Sequence, residues 1–321
     1  MPDCLSEVVT MTETETVDVA IVGAGAAGLS AGLVLARAQA RVVIIDAGSP
    51  RNAPATEMHG FISRDGIAPQ DFLHLSREEV IRYGGSFFSG TVRQVSRRPD
   101  ATFDVRLGSA TVIARAVLFA TGLTDDVPHV PGLRDRWGTL VHHCPYCHGY
   151  EVRGKNIAVI AGDAKDVSIK QAGLLRRYSD HVALLSNELE LTLVERKRLE
   201  AFGIIIVDGP VSHLLGSPGS LDGVGLADGT TVPCEAVFVA PRPHPNDQLL
   251  RTLGCDIDAT SGLVIADAFG QTSVVGVWAA GNVVTPAAQV ITAAGAGSAA
   301  AMSINGWLLQ TDLDAATAAR H

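Results

Sequence analysis

The chain has 321 residues, of which 47% are hydrophobic, 18% are charged and 33 are glycine. This composition fits two globular domains and excludes a disordered or fibrous protein. The net charge of −9 argues against a nucleic-acid partner held by a broadly basic surface, and polar residues interrupt the most apolar stretch, 277–309, so no membrane partner is expected. Residues 1–16 are polar and acidic, which predicts a disordered tail without a secretion signal and therefore a cytoplasmic protein.

A β-α-β unit is predicted directly after this tail. The sequence predicts a buried strand at 17–22, a glycine turn at 23–28, a helix at 29–38 and a second buried strand at 41–46 that ends in a carboxylate. A G-x-G-x-x-G turn alone is weak evidence, but here the expected strand precedes it and the expected helix and strand follow. The order is typical of a dinucleotide-binding unit.

Each conspicuous residue of this unit has a physical reason. Gly23 permits the tight turn, Gly25 lets the backbone approach a pyrophosphate, and Gly28 allows close helix–strand packing. The N-terminus of the helix offers free N–H groups and a positive dipole to the phosphates. Asp46 can accept hydrogen bonds from ribose hydroxyls, and its charge disfavours a 2′-phosphate, so the first site is not expected to bind NADP.

Both ends of the chain contribute to this first domain. A strand is predicted at 117–120, before Thr121 and Gly122, and another at 273–280, before Gly281 and Asn282. A helix rich in small residues is predicted from 289 to 309.

A second β-α-β pattern lies between these parts. Strands are predicted at 156–160 and 181–185, a helix at 164–177 and a closing strand at 236–240. The predicted fold is α/β, with two Rossmann-like nucleotide-binding domains of which the second is inserted into the first. The expected limits are 17–122 with 247–321 for the first domain and 123–246 for the second, with linkers at 128–138 and 241–246.

These features resemble the low-molecular-weight thioredoxin reductase family of flavoproteins over nearly the whole chain. The matching segments are the glycine turn, Ala120-Thr121-Gly122, Cys144-Pro-Tyr-Cys147, and Ala280-Gly281-Asn282 followed by Gln289. The resemblance implies FAD in the first domain, with its ring against the cysteine pair, and a homodimer. Asn282 departs from the family, which usually has aspartate there, although an amide can still hydrogen-bond a ribityl hydroxyl. The predicted cofactor-binding residues are Gly23, Gly25, Ala26, Ala27, Gly28, Asp46, Ala47, Arg51, Ala120, Thr121, Gly122, Gly281, Asn282, Gln289 and Val290.

The second nucleotide turn departs from the family pattern. Where thioredoxin reductases carry a G-x-G-x-x-A turn for NADPH, this chain has Ala161, Asp163 and Asp166. One like-charge contact between Asp163 and a phosphate costs about 4 kcal/mol at ~4 Å and an effective dielectric constant of ~20, or roughly three decades of affinity. The next strand is followed by 186–188 without the arginines that hold a 2′-phosphate. The sequence therefore predicts a degenerate nicotinamide site, unless the alignment slips or NADH binds differently.

The pair Cys144 and Cys147 admits four interpretations. A C-x-x-C-H pattern is typical of haem c attachment, the neighbouring histidines suggest zinc, and the cysteines could be inert. Haem attachment needs an oxidising compartment, and structural zinc needs a second ligand cluster, which the sequence lacks. The fourth interpretation, a redox disulfide beside a flavin, agrees with the fold and the position of the pair, and no metal is expected.

Histidines surround the pair. His148 directly follows Cys147, where thioredoxin reductases usually carry aspartate, and a histidine can take a proton from a thiol at neutral pH. His142 and His143 either assist His148 or are only a polar approach to the motif. The predicted catalytic residues are Cys144, Cys147, His148 and His143.

The Cys-Pro-x-Cys-His motif together with a degenerate nicotinamide site resembles a narrower group, the FAD-dependent dithiol oxidases that close disulfides in natural products such as gliotoxin, holomycin and romidepsin. The resemblance implies that a small-molecule dithiol is oxidised through the Cys144–Cys147 disulfide, and that electrons pass through FAD to O2, giving H2O2. It also implies a role in antibiotic biosynthesis or self-protection. The loop near His59 and Gly60 is expected to contribute to specificity.

Two other functions remain open at this point. One is a thioredoxin-type disulfide reductase fed by NAD(P)H or ferredoxin. The other is a flavin-bound redox sensor without turnover.

Overall fold

The computed structural model describes residues 14–108 and 110–320, and most of the predicted tail therefore lies outside the described residues. The chain forms two compact units. The first contains the described residues up to Arg51, Gln70–Thr124 and those from His244 onwards, and the second contains Asn52–Pro69 and Asp125–Pro243. The fold is mixed α/β, as predicted.

The first unit is built on a seven-stranded sheet. Its strands run in the order β3-β2-β1-β6-β5-β4, with β17 beside β6. The strands are β1 (Thr14–Val22), β2 (Val42–Asp46), β3 (Ser86–Ser89), β4 (Gln94–Arg97), β5 (Phe103–Leu107), β6 (Ala110–Phe119) and β17 (Val277–Ala279). The central strands are parallel and almost wholly buried, because helices and loops cover both faces of such a sheet.

One edge of β6 has two partners in succession. The first half of β6 pairs antiparallel with β5, whereas Val117–Phe119 pair in parallel with Val277–Ala279. The last strand is thus shorter than the predicted 273–280, because only three residues lie opposite β6. β1 begins at Thr14, inside the predicted tail, because Thr14–Thr16 pair with the start of β6.

Four helices belong mainly to the first unit: α1 (Ala26–Arg37), α2 (Pro69–Arg82), α6 (Gln248–Thr252) and α7 (Val290–Ala318). Buried side chains of α1 and α7 form one apolar cluster with the sheet, around Leu35, Trp278 and Ile304. The 29-residue α7 is longer than the predicted 289–309.

The second unit contains a five-stranded parallel sheet in the order β11-β10-β9-β15-β8 and an antiparallel sheet β12-β13-β14. The strands are β8 (Val141–His142), β9 (Ile157–Ile160), β10 (Val182–Leu185), β11 (Ile204–Val207), β12 (Val211–Leu215), β13 (Gly223–Leu226), β14 (Thr231–Pro233) and β15 (Ala236–Val239). The helices are α3 (Pro145–His148), α4 (Lys165–Leu175) and α5 (Leu193–Ala201). The edge strand β8 leads directly into the cysteine motif.

The limits of the units differ from the expected ones at two places. Asn52–Pro69 groups with the second unit, where Gly138 packs against Pro54 so closely that a Cβ atom would lie 2.7 Å from the proline Cβ. The chain passes between units within β7 (Leu123–Asp126) and β16 (Arg242–Pro245), which pair with each other. The predicted linker 128–138 therefore lies inside the second unit, where it includes a 3₁₀ turn at Arg134–Arg136.

Candidate functional site

The glycine turn after β1 has one closed and one open side. Gly23 has φ = +106°, and a Cβ atom there would lie 2.4 Å from the carbonyl oxygen of Ala120. A Cβ at Gly28 would lie 1.9 Å from the carbonyl oxygen of Gly23, so side chains are excluded at both positions. At Gly25, by contrast, a Cβ would meet no atom within 4 Å. The open side lies at the position where the sequence predicts a pyrophosphate.

The N-terminus of α1 follows this open side. Gly25 is the N-cap, Ala26 is the first helical residue, and no side chain caps the helix. Ala27, in the first turn, is buried. Backbone N–H groups at such a helix end are donors for phosphate oxygens. The residues of this turn therefore fit a dinucleotide.

Asp46 lies at the end of β2 and is held from two sides. Its Oδ1 accepts a hydrogen bond of 3.0 Å from the N–H of Ala24, and its Oδ2 accepts one of 2.5 Å from Arg77. A carboxylate has about four acceptor positions, so capacity for ribose hydroxyls remains. Ala47 follows and is exposed. Arg77, on α2, was missed by the sequence analysis because a single arginine in an amphipathic helix carries no signal.

The Ala120-Thr121-Gly122 segment is fixed by neighbouring backbone and by Asn246. The N–H of Ala120 donates to the carbonyl of Val22 at 2.8 Å. The Thr121 hydroxyl donates to the backbone carbonyl of Asn246 at 2.7 Å, and the Asn246 amide donates back to the carbonyl of Thr121 at 2.9 Å. Asn246 is the last residue of the predicted linker 241–246, and its contact with Thr121 was not predicted.

The Asn282 side chain organises the loop before α7. Its Nδ2 lies 3.3, 3.0 and 2.9 Å from the carbonyl oxygens of Thr285, Pro286 and Ala288. Arg51 donates to the same Pro286 carbonyl at 3.2 Å. An ionised aspartate could not donate to these carbonyls, which gives the departure from the family pattern a structural reason. Contact between Asn282 and a ribityl hydroxyl stays a prediction.

The other predicted residues of this segment flank the loop. Gly281 is buried in the 3₁₀ turn Gly281–Val283. Gln289 is the N-cap of α7 and Val290 its first residue, again without a side-chain cap. Their contact with FAD also stays a prediction.

In the second unit, Cys144 and Cys147 are joined by a disulfide, with their Cα atoms 5.2 Å apart. Cys144 is the extended N-cap of α3, and Pro145 occupies the first helical position, where its missing N–H is no loss. The N–H groups of Cys147 and His148 both donate to the carbonyl of Cys144, at 3.1 and 3.2 Å. One turn of helix thus brings the two sulfurs together.

The three histidines of the motif form two separate ring contacts. The rings of His142 and His148 stack with centroids 4.3 Å apart, whereas His143 stacks on Trp137 at 5.7 Å. The structure therefore places His142, not His143, against His148. A catalytic role for His143 stays a prediction.

Burial keeps the stacked pair uncharged at neutral pH. Desolvation is the main cause that lowers the pKa of His142 to about 3, and His148, His143 and Lys155 act in the same direction. Desolvation also lowers the pKa of His148 from its usual value, with Glu151 opposing and His59 reinforcing the shift. His142 is too weak a base to hold a thiol proton at pH 7, so His148 is the better acceptor.

His59 lies in the same unit, among acidic side chains. Its Nδ1 is 3.3 Å from Asp65, and its Nε2 is 3.5 Å from Glu151 and 3.6 Å from Glu57. The loop that the sequence analysis assigned to specificity therefore reaches the segment that follows the cysteine motif.

The turn after β9 differs from the turn after β1. The N–H of Gly162 donates to Ser168 at 3.1 Å, while Asp163 and Asp166 are exposed at the start of α4. Asn187 stabilises this turn, because its side-chain amide donates to the carbonyl of Ala161 at 3.2 Å. Arg196, the first arginine after β10, binds both carboxylate oxygens of Asp208 at 2.7 and 2.9 Å.

The described part of the chain, 14–108 and 110–320, contains no group of three or more histidine, cysteine, aspartate or glutamate side chains arranged to hold a metal ion. None of its helices combines the length and the apolar character needed to span a bilayer.

Comparisons with known proteins agree with this arrangement. The sequence model described as pyridine nucleotide-disulphide oxidoreductase matches residues 17–298. The chain is 31% identical to thioredoxin reductase sirT of Leptosphaeria maculans, covering 93% of this chain and 96% of the relative. A crystal structure of HlmI is similar with a TM-score of 0.91 and 46% identity, covering 95% and 96% of the two chains. A putative thioredoxin reductase TrxB from Bacillus anthracis has a TM-score of 0.87 and 29% identity, covering 92% and 99%.

Proposed function

The chain belongs to the pyridine nucleotide-disulphide oxidoreductase family, whose members typically bind FAD, and we propose that it is an FAD-dependent dithiol oxidase. Its substrate would be a small natural-product dithiol, its oxidant O2 and its products an intramolecular disulfide and H2O2. A homodimer in the cytoplasm, with a role in antibiotic biosynthesis, completes the proposal.

The observation that carries this proposal is the difference between the turn after β1 and the turn after β9. The turn after β1 is open at Gly25 and leads into an uncapped helix. The turn after β9 presents Asp163 and Asp166, and the nearby Arg196 is engaged by Asp208. A protein that cannot take electrons from a nicotinamide needs another donor, and a redox disulfide supplies one when a dithiol reduces it.

The cysteine motif performs the thiol chemistry. In the proposed sequence, His148 takes the proton of a substrate thiol, and the resulting thiolate attacks Cys144, so that the Cys144–Cys147 bond breaks and a mixed disulfide forms. The second substrate thiolate then attacks the substrate sulfur of that mixed disulfide, which closes the product disulfide and releases Cys144. The substrate has lost two electrons, and the two cysteines have gained them.

The turn after β1, Asp46, Thr121 and the loop held by Asn282 would hold the cofactor. When bound there, FAD would supply an acceptor for the two electrons of the cysteine pair and a route for them to O2. The residues of the chain then need only to regenerate the disulfide and hold the substrate thiolate in place.

The direct test mixes the FAD-loaded protein with dithiothreitol and measures O2 consumption and H2O2. Cys144→Ser should abolish turnover while the flavin stays bound. Cys255→Ser is the matched control, since Cys255 is a buried free thiol of the first unit, and it should keep wild-type activity. A fully active Cys144→Ser variant would refute the disulfide relay.

A second function is favoured by the names of two of the similar proteins, sirT and TrxB, which are described as thioredoxin reductases. It is reduction of a disulfide with electrons from NAD(P)H or ferredoxin. Anaerobic addition of NADPH or NADH separates the two proposals, because rapid bleaching of the flavin would favour the reductase. A flavin that is reduced by dithiol but never turns over would favour a redox sensor.

A further inference from the structure

A cavity of about 140 Å³, lined by both polar and apolar side chains, lies within the second unit beside the cysteine motif. Its lining includes three histidines, three glutamates and a lysine that the proposed chemistry uses only in part: His59, His142, His148, Glu57, Glu151, Glu235 and Lys155. Its volume is several times the ~30 Å³ that one water molecule occupies in the liquid. The cavity is therefore large enough for a small chain of water molecules.

Two buried nitrogen atoms of the histidines that line the cavity have no partner in the described part of the protein. The Nδ1 atoms of His142 and His148 are both buried, and neither has a hydrogen-bond partner among the described residues. His142 is only 6% exposed. A buried polar atom left without a partner costs about 1–3 kcal/mol, whereas water in a polar cavity removes this cost.

The polar lining continues from His148 to the surface. Glu151 lies just after His148 in the sequence, beyond the end of α3. Its carboxylate is 3.5 Å from Nε2 of His59. The other ring nitrogen of His59 lies 3.3 Å from Asp65, whose side chain is 66% exposed, while the His59 side chain is 19% exposed. Glu151 is 38% exposed, so this set of groups reaches solvent both at Glu151 and, beyond His59, at Asp65.

From this arrangement we propose that the cavity is hydrated, and that Glu151 and His59 form a proton relay which returns to solvent the proton that His148 takes from a thiol. The inference rests on the proposed function for the source of the proton. The balance is simple: one proton enters from the substrate thiol, one leaves to solvent through Glu151 and His59, and His148 returns to its neutral form. No electrons move in the relay.

The charges around His148 determine how this relay responds to pH. Glu151 raises the pKa of His148, while burial and His59 lower it. His142 stacks on the ring, and Lys155, Glu57 and Glu235 line the same cavity. Removing the carboxylate of Glu151 should therefore lower the pKa of His148 further and move the acid limb of the pH profile to lower pH.

The test uses the FAD-loaded protein with dithiothreitol in the absence of O2, so that the rate of flavin bleaching isolates the thiol half-reaction. Glu151→Gln and His59→Asn should each slow bleaching about tenfold, which is less than the ~10²–10⁴-fold expected for the group that takes the thiol proton directly. Imidazole in the buffer should restore the rate of His59→Asn. His74→Asn, which changes an exposed histidine of α2, is the matched control and should behave as wild type.

Rescue separates a relay from a purely structural role. Slow bleaching of His59→Asn that imidazole does not restore would overturn the relay, and so would wild-type rates in both variants. A shifted acid limb with an unchanged plateau in Glu151→Gln would likewise reduce Glu151 to an electrostatic neighbour.

Failure of the proposed function gives a different pattern, since dithiothreitol would then leave the flavin of the wild-type protein unbleached. The relay is then judged by NMR titration of 15N-labelled histidines, which needs no turnover. A His148 titration that is coupled to that of His59 in the wild type, and that loses this coupling in Glu151→Gln, supports the relay. Identical titrations in both proteins overturn it.

Discussion

The two turns that follow β1 and β9 occupy equivalent places in two β-α-β units, yet they differ in what they offer a phosphate. The first has Gly25 facing open space and an uncapped helix. The second has Asp163 and Asp166 exposed at the helix start and its Gly162 N–H bound to Ser168. A Rossmann-like unit can therefore keep its strands and helix while a few side chains decide whether it binds a nucleotide.

The largest effect is expected when the acidic residue of the second turn is introduced into the first. Gly25→Asp should weaken FAD binding by about three decades, since one carboxylate against a phosphate costs about 4 kcal/mol. Flavin retained after gel filtration and a titration of the apoprotein with FAD measure the loss.

Gly25→Ala is the matched control for this change. The backbone at Gly25 has φ = −76°, and a Cβ atom there meets nothing within 4 Å. The alanine variant should keep the thermal stability of the apoprotein and lose less FAD affinity than the aspartate variant, because its methyl group adds bulk but no charge where the pyrophosphate is expected. Equal FAD affinity in the aspartate variant would show that the open side of the turn does not receive the pyrophosphate.

A second prediction concerns His142, the buried histidine of the second unit. The folded protein keeps His142 neutral, because its pKa is about 3, whereas the unfolded chain binds a proton near the ordinary value of 6.5. Lowering the pH from 7 to 5 should therefore favour unfolding, and His142 alone accounts for about 2 kcal/mol. His142→Phe should remove that share, as measured by denaturant unfolding at both pH values.

His74→Phe provides the comparison for this experiment, because His74 is half exposed on α2. It should leave the difference between pH 7 and pH 5 as in the wild type. The same difference in His142→Phe would mean that His142 is not the group that titrates on unfolding.

The reverse exchange should have a smaller effect. Asp163→Gly removes an exposed carboxylate from the second turn, and solvent screens such a charge. We expect affinity for NADH to rise about tenfold, with no preference for NADPH, because the neighbouring Arg196 remains engaged by Asp208. Fluorescence titration with each nucleotide measures this gain, and Glu190→Gln, elsewhere on the same unit, serves as the charge-matched control. A preference for NADPH would contradict the assignment of Arg196.

The smallest expected effect concerns the loop before α7. Asn282→Asp replaces an amide donor that faces three carbonyl oxygens with an acceptor. The folded state should lose about 1 kcal/mol, seen as a lower melting temperature of the apoprotein. Asn282→Gln keeps the donor and tests whether its reach matters. An aspartate variant as stable as the wild type would show that the loop needs no donor.

The sequence predicted the scaffold better than the contacts. Buried parallel strands such as 17–22 and 156–160 are recognisable because both faces are covered and the residues are nearly all apolar. Asn52–Pro69 was not recognisable as part of the second unit, because no local pattern shows which unit a loop packs against. The Arg77–Asp46 contact and the stacking of His142 on His148 arise from long-range geometry that neither spacing nor composition encodes.

The divided edge of β6 has a consequence for the order of assembly. On one edge its last residues, Val117–Phe119, pair with β1, but on the other edge they pair with Val277–Ala279. The first sheet therefore stays incomplete until nearly the whole chain has left the ribosome. Most of the second unit is contiguous in sequence and emerges earlier, so it can form during translation. Truncation before Val277 would leave a bare, apolar strand edge in the first unit, and aggregation of such a fragment is the expected outcome.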